Sequence, residues 1–161
     1  MKTLDRITIR APIGRVFDIA TDVERWPRIL PHYRWVRYLH RPNGGSGKRG
    51  SMGTVEMAAW RPFGMIRYPA WWVSEMTVDA GAHEIRYRHV RGITRGMDVR
   101  WRLVAQPHGV EVTIEHEWGG PAWPVVGLLL ARWVIGPVFI HGIAKRTLAG
   151  IKRVIEEETR E

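Results

Sequence analysis

Between Val110 and Trp118 the chain alternates without a break. Val110, Val112, Ile114, His116 and Trp118 fall on one side, and Glu111, Thr113, Glu115 and Glu117 on the other. A period of two marks a strand with one buried and one wet face. The same rhythm starts the chain, where Ile7 and Ile9 alternate with Thr8 and Arg10 in a strand expected over Thr3 to Arg10. Further strands are expected at Tyr33 to His40, Ser51 to Arg61, Met65 to Val78, Glu84 to Val90 and Gly96 to Ala105. Pro62-Phe63-Gly64, Val90 to Arg95 and Gln106-Pro107-His108-Gly109 read as turns, and Pro42 to Gly50 as a long glycine-rich hairpin loop. Pro69 falls inside a strand, which predicts an edge position, a bulge or a break there.

Helical periodicity occupies two regions. After Ala11-Pro12, which starts a helix well because proline has no N–H to waste in the first turn, Val16, Phe17, Ile19 and Ala20 form an apolar face. Thr21-Asp22 supplies a cap for a second short helix, Val23 to Leu30, and Pro31 stops it. At the C-terminal end Gly136-Pro137 opens a longer helix. Ile140, Ile143, Ala144, Leu148, Ile151 and Val154 recur along it at helical spacing. An amphipathic helix needs an apolar partner, and the buried face of an antiparallel sheet provides one. The predicted class is therefore α+β. One curved antiparallel sheet of about seven strands wraps the long C-terminal helix, with two short helices after the first strand and residues 1–161 forming one domain.

The segment between the last strand and that helix is strongly apolar, from Pro121 to Ala131, but Arg132 interrupts it. Neither side reaches the roughly 18 consecutive apolar residues that a membrane span needs. The segment reads as a lid over a cavity, Gly119 to Arg132, with peripheral membrane contact as a second use.

Composition adds three constraints. Nine of the 161 residues are Trp, against three Phe and four Tyr. That is more indole than a core of this size requires, so some should line a cavity or an exposed apolar rim. Cysteine is absent, which excludes disulfides, thiolate metal sites and cysteine nucleophiles. The first residues carry no apolar leader run, and the expected location is cytoplasmic. The net charge is +9, with 21 arginines among 25 basic residues. The arginines are scattered through strands, so specific nucleic-acid binding is not expected. Arg100 and Arg102 should pair with Glu111, Glu115 and Glu117 across the wet sheet face.

The order strand, two short helices, six strands and long helix resembles the START-like or helix-grip (SRPBCC) superfamily. The wording of the sequence agrees in Ala11 to Asp18, in Asp22-Val23-Glu24-Arg25-Trp26-Pro27, in Gly96 to Leu103 and in Thr147 to Arg153. The resemblance covers essentially the whole chain and points to the polyketide cyclase/dehydrase-like branch. It implies a lipophilic small molecule bound in an internal cavity, with a cyclase or aromatase reaction that needs no cofactor. The alternative it implies is a non-catalytic carrier of quinone, isoprenoid or another lipid. It also places Tyr33 where the aromatase branch has a cavity tyrosine. The branch's arginine position falls on Tyr68, with Arg67 one residue away and a bulge at Pro69 needed to bring it into phase.

The residues themselves supply the candidate chemistry. His116 is in phase with Val112 and Ile114, and His89 with Ile85 and Tyr87, so both should point inward. A histidine beside a bound polyketone can carry protons near neutral pH, while a hydroxyl such as that of Tyr33 can hold a developing enolate. Tyr33, His89 and His116 are thus the candidate catalytic residues. Trp35, Trp72, Tyr87, Met97, Trp101, Ile114, Trp118, Ile140 and Ala144 are the expected cavity lining, with small Ala144 and nearby Gly142 leaving space at the start of the helix. No metal is expected, because the histidine spacings fit no known site. There is no phosphate-binding loop and no Gly-x-Ser-x-Gly elbow.

Overall fold

The computed structural model describes residues 1–42, 51–63, 66–120 and 137–158. In chain order these form β1 (Lys2–Ile9), α1 (Ile13–Thr21), a 3-10 turn (Val23–Arg25), α2 (Trp26–Ile29), β2 (Tyr33–His40), β3 (Ser51–Phe63), β4 (Ile66–Asp79), β5 (Glu84–Gly92), β6 (Asp98–Gln106), β7 (Gly109–Glu117) and α3 (Pro137–Glu158). All seven strands join one curved antiparallel sheet in the order β1-β7-β6-β5-β4-β3-β2. The strands from β2 to β7 follow one another as a meander, and β1 closes the sheet beside β7, with Ile7 opposite Val112. The α1 and α2 helices carry the chain from one edge strand to the other. The α3 helix lays Ile140, Ala144, Thr147, Leu148, Ile151 and Ile155 into the buried core. The alternation and the C-terminal stripe predict this α+β packing, and it is the helix-grip arrangement that the resemblance implies.

Pro69 obeys its constraint without a bulge. From Ile66 to Trp71 the β4 strand pairs with β3 only, and its pairing with β5 begins at Trp72 opposite Gly92. The missing proline N–H therefore costs no ladder bond. Pro62 and Phe63, expected as a turn, instead extend β3, and pairing continues to Phe63 opposite Ile66. The cap expected at Thr21-Asp22 is also not made. The Thr21 hydroxyl donates back to the carbonyls of Phe17 and Asp18 at 2.9 and 3.1 Å, and the Asp22 side chain caps nothing. Proximity decides this, because a threonine in the last turn finds the carbonyl four residues back already in place. Of the loop expected over Pro42 to Gly50, residues 43–50 lie outside the described residues, as do residues 121–132 of the expected lid.

The wet sheet face carries the charge pairing, but through a different acid. Glu84 accepts from Arg86 and from Arg100 (2.9 Å) and lies 3.7 Å from Arg102. Glu117 instead pairs with Lys2, and Glu111 with Arg6. The β5–β6 register places Glu84 opposite Arg102, which pairing within β6–β7 alone could not reveal. Burial would raise the Glu84 carboxyl, but hydrogen bonds from Arg86 and Arg100 outweigh it and hold the group below its ordinary value. A depressed carboxylate contributes stability above its unfolded value and loses it as pH falls through its folded one. Glu84→Gln should therefore cost about 1.5 kcal/mol at neutral pH, the scale of one charged hydrogen bond, and less in acid. Urea titrations at pH 7 and pH 3 check this, and an equal loss at both would reject the assignment.

Candidate functional site

A cavity lies between the inner sheet face and the first turns of α3. Its sheet wall is Tyr33, Met57, Trp72, Tyr87, His89, Val99, Trp101, Ile114 and His116. Trp26, Thr94, Met97, Ile140, Ile143, Ala144 and Thr147 complete the described lining. The free space is small, about 60 Å³. That is room for a few waters, so a ring-sized ligand has to displace side chains as it enters. No Lys, Arg, Asp or Glu is among the described lining residues.

Aromatic rings build much of the wall. Trp26 contacts Tyr33 and Trp101 at centroid distances of 5.2 and 5.7 Å, and its indole N–H is satisfied by the Ile19 carbonyl. Trp72 stacks nearly parallel on His89 (5.9 Å, 11°). The stacking fixes one face of the imidazole, and a 2.6 Å contact between His89 Nδ1 and the Thr94 hydroxyl fixes its rotation. His116 Nδ1 lies 3.3 Å from the Thr3 hydroxyl on the neighbouring strand. The Tyr33 hydroxyl is 3.5 Å from Thr147 Oγ1, which lies 3.0 Å from His32 Nε2.

Tyr87 differs from these. Its hydroxyl is buried and has no hydrogen-bond partner among the described residues; Ser74 Oγ, on the inner face of β4, is in the same condition. Burial, reinforced by the nearby Tyr38 and Tyr33, pushes the Tyr87 phenol well above its ordinary value. It is a neutral donor held against the cavity. Buried hydroxyls without partners are uncommon, since each loses its bonds to water for nothing in return.

Of the residues singled out from the sequence, Tyr33, His89, His116, Trp72, Tyr87, Met97, Trp101, Ile114, Ile140 and Ala144 come together around this space. Two do not. Trp35 is 37% exposed, whereas Val36 beside it is 7% exposed. A register shift between Tyr33 and Trp35 reverses the alternation, so Tyr33 and Val36 face inward and Trp35 faces out, beneath the Arg34 guanidinium. Trp118 is buried but off the lining, and its indole N–H donates to the Arg95 carbonyl and so ties down the turn between β5 and β6. Arg67 also stays outside. The β3–β4 register runs unbroken through Pro69, no bulge re-aims it, and the residue is exposed. Sequence reading passed over Thr94 and Thr147. Thr147 had a signal, a hydroxyl three residues beyond Ala144 on the buried stripe, while Thr94 sits in a turn with no periodicity to read.

The chain is similar to several known proteins. The model of a family described as polyketide cyclase / dehydrase and lipid transport matches residues 9–136. A protein of Streptomyces halstedii described as a "Putative polyketide cyclase" is 31% identical over 110 residues, 67% of this chain and 92% of its own length. One from Streptomyces cyaneus, described in the same words, is 30% identical over 112 residues, 68% of this chain and 67% of its own. The Zhui aromatase/cyclase of Streptomyces sp. R1128 superposes with a TM-score of 0.77 at 16% identity, covering 99% of this chain and 95% of that one. A START superfamily protein of Mycobacterium smegmatis superposes with a TM-score of 0.71 at 13% identity, covering 97% of each chain. At such identities the structural matches speak for the fold alone, whereas the family model spans most of the sequence. The chain belongs to the polyketide cyclase / dehydrase and lipid transport family.

Proposed function

We propose that this protein binds a flat, uncharged, oxygen-bearing lipophilic molecule between Trp72 and α3 and acts on it as a cofactor-free polyketide cyclase or aromatase. The observation that carries the reading is the Tyr87 hydroxyl, a buried neutral donor without a described partner in a cavity whose described lining has aromatic rings and no charged side chain. A carbonyl or phenol oxygen of a ligand would satisfy it, and a carboxylate would meet no cation among the described lining residues.

Ring closure in a poly-β-ketone needs a methylene proton removed, a C–C bond formed to a ketone carbon and the resulting alkoxide protonated; loss of water then gives the aromatic ring. In this reading His89 or His116 takes the methylene proton, and Tyr33 holds the developing enolate oxygen. Tyr87 anchors a second carbonyl, and the aromatic walls impose the fold of the chain. His89 is suited to the role because Trp72 and Thr94 already fix its ring.

A second reading, a carrier of quinone or another lipid, draws support from Arg67, which is exposed and supplies no cation to the described cavity lining for stabilising an enolate. Two measurements separate them. Mass spectrometry of organic extracts from purified protein identifies the bound class, and incubation with linear polyketone chains tests turnover. Loss of turnover in Tyr33→Phe with affinity retained supports the cyclase; a bound quinone with no turnover on any chain length supports the carrier.

Tyr87→Phe gives a signature with opposite signs. Removing a buried hydroxyl without a partner should raise stability by about 1 kcal/mol, while affinity for a hydroxylated anthraquinone falls about tenfold. A variant that loses stability, or binds the probe as wild type does, would remove Tyr87 from the site.

A further inference from the structure

A separate groove opens on the other side of α3. Its volume is about 490 Å³, and Leu30, Trp60 and Ala149 give it an apolar floor. Arg67, Arg146, Arg153 and His32 surround that floor, and no carboxylate is among its described lining residues. Arg34 adds a further guanidinium, 4.5 Å above the Trp60 ring.

What sets this cluster apart is that its arginines gather on one groove. Several arginines elsewhere have found acids: Arg15 and Arg25 share Glu158, Arg41 takes Glu24, Arg37 takes Glu56, Arg88 lies near Asp98 and three arginines converge on Glu84, whereas Arg10, Arg28, Arg91 and Arg95 have no ion pair among the described residues. On α3 itself Lys152 is paired with Glu156. Among the described residues, Arg34, Arg67, Arg146 and Arg153 have no such pair. They come from three different parts of the chain (β2, β4 and α3), so no local sequence run forces them together. Like charges gathered on one hollow repel one another unless an anion occupies it, and guanidinium forks match the oxygens of a phosphate in paired hydrogen bonds. The groove is distinct from the inner cavity and touches it only through the wall, where His32 Nε2 meets Thr147 Oγ1 at 3.0 Å.

We infer that this groove is a binding site for the phosphate of a small organic phosphomonoester. The guanidinium groups of Arg67, Arg146 and Arg153 hold the phosphate, and Leu30 and Trp60 take the organic part. The apolar floor is what distinguishes such a ligand from bare inorganic phosphate.

Calorimetric titrations with phenyl phosphate and with inorganic phosphate, at constant ionic strength, test it. Saturable one-to-one binding is expected, about tenfold tighter for phenyl phosphate, and weakened at least tenfold in the double variant Arg146→Gln/Arg153→Gln. A second double variant, Arg10→Gln/Arg95→Gln, removes the same net charge elsewhere and should bind as wild type does. Thermal melts of both variants check that they fold. Vesicles of phosphatidic acid and of phosphatidylcholine distinguish a lipid headgroup from a soluble ester as the source of the phosphate. Binding to the acidic vesicles alone, lost in Arg146→Gln/Arg153→Gln, supports the same site. No saturation below about 20 mM phenyl phosphate together with no vesicle binding, or equal loss in the two double variants, overturns the proposal.

Discussion

Gly92→Ala is expected to destabilise the protein by about 2–4 kcal/mol, which corresponds to roughly 5–15 °C in melting temperature for a chain of this size. Two effects add. Gly92 has φ of +96°, a backbone conformation that an L side chain occupies only with strain. A methyl group there would also lie 2.3 Å from the Trp71 carbonyl oxygen and 2.7 Å from the Trp72 Cα, so the β4 backbone must move. Gly96, four residues on, isolates the first effect. It too has positive φ, +83°, but its methyl group would meet nothing within 4 Å. Gly96→Ala should therefore cost only about 1 kcal/mol. Melts of the two variants side by side give the difference due to close approach, and equal losses would show that strain alone accounts for both. The damage at Gly92 should also reach the cavity. Gly92 pairs with Trp72, whose ring stacks on His89, so displacement there should weaken ligand binding in the fraction that still folds.

This coupling also shows which parts of the site the sequence could disclose. His116 and Ile114 are legible because β7 keeps a strict period of two over its whole length. Ile140 and Ala144 are legible because they belong to one helical stripe. In both cases the face of a residue follows from its neighbours in sequence. Trp35 defeats this logic, since a register shift between Tyr33 and Trp35 depends on how β2 meets β3 and leaves no mark on β2 itself. Glu84 was missed as the centre of the charge network for a related reason: its partners are chosen by the β5–β6 register, a relation between strands. The Tyr87 position could be read, but its lack of a partner could not, because satisfaction of a hydroxyl is a property of everything around it. Periodicity thus gives direction. Partnership comes only from three-dimensional placement.

Ala144→Leu should abolish most ligand binding, by about a hundredfold, while leaving the fold near its original stability. Ala144 faces the cavity from α3 between Ile140 and Thr147, and leucine adds three carbons to that position. The free space is only about 60 Å³, so those carbons would occupy much of what a ligand uses. Burying them gains about 0.8 kcal/mol each, and crowding against the cavity wall costs about 1–3 kcal/mol, so the two nearly cancel. Helix propensity does not decide the outcome, because leucine is nearly as good a helix former as alanine. The matched control is Leu148→Ala, one turn further along the same buried stripe and off the cavity lining. That truncation should cost about 2–4 kcal/mol by leaving a void, with ligand affinity unchanged in the folded fraction. Urea titrations and binding of a hydroxylated anthraquinone, measured on both variants, give opposite patterns if the cavity is the binding site. Retained binding in Ala144→Leu would move the ligand elsewhere on the molecule.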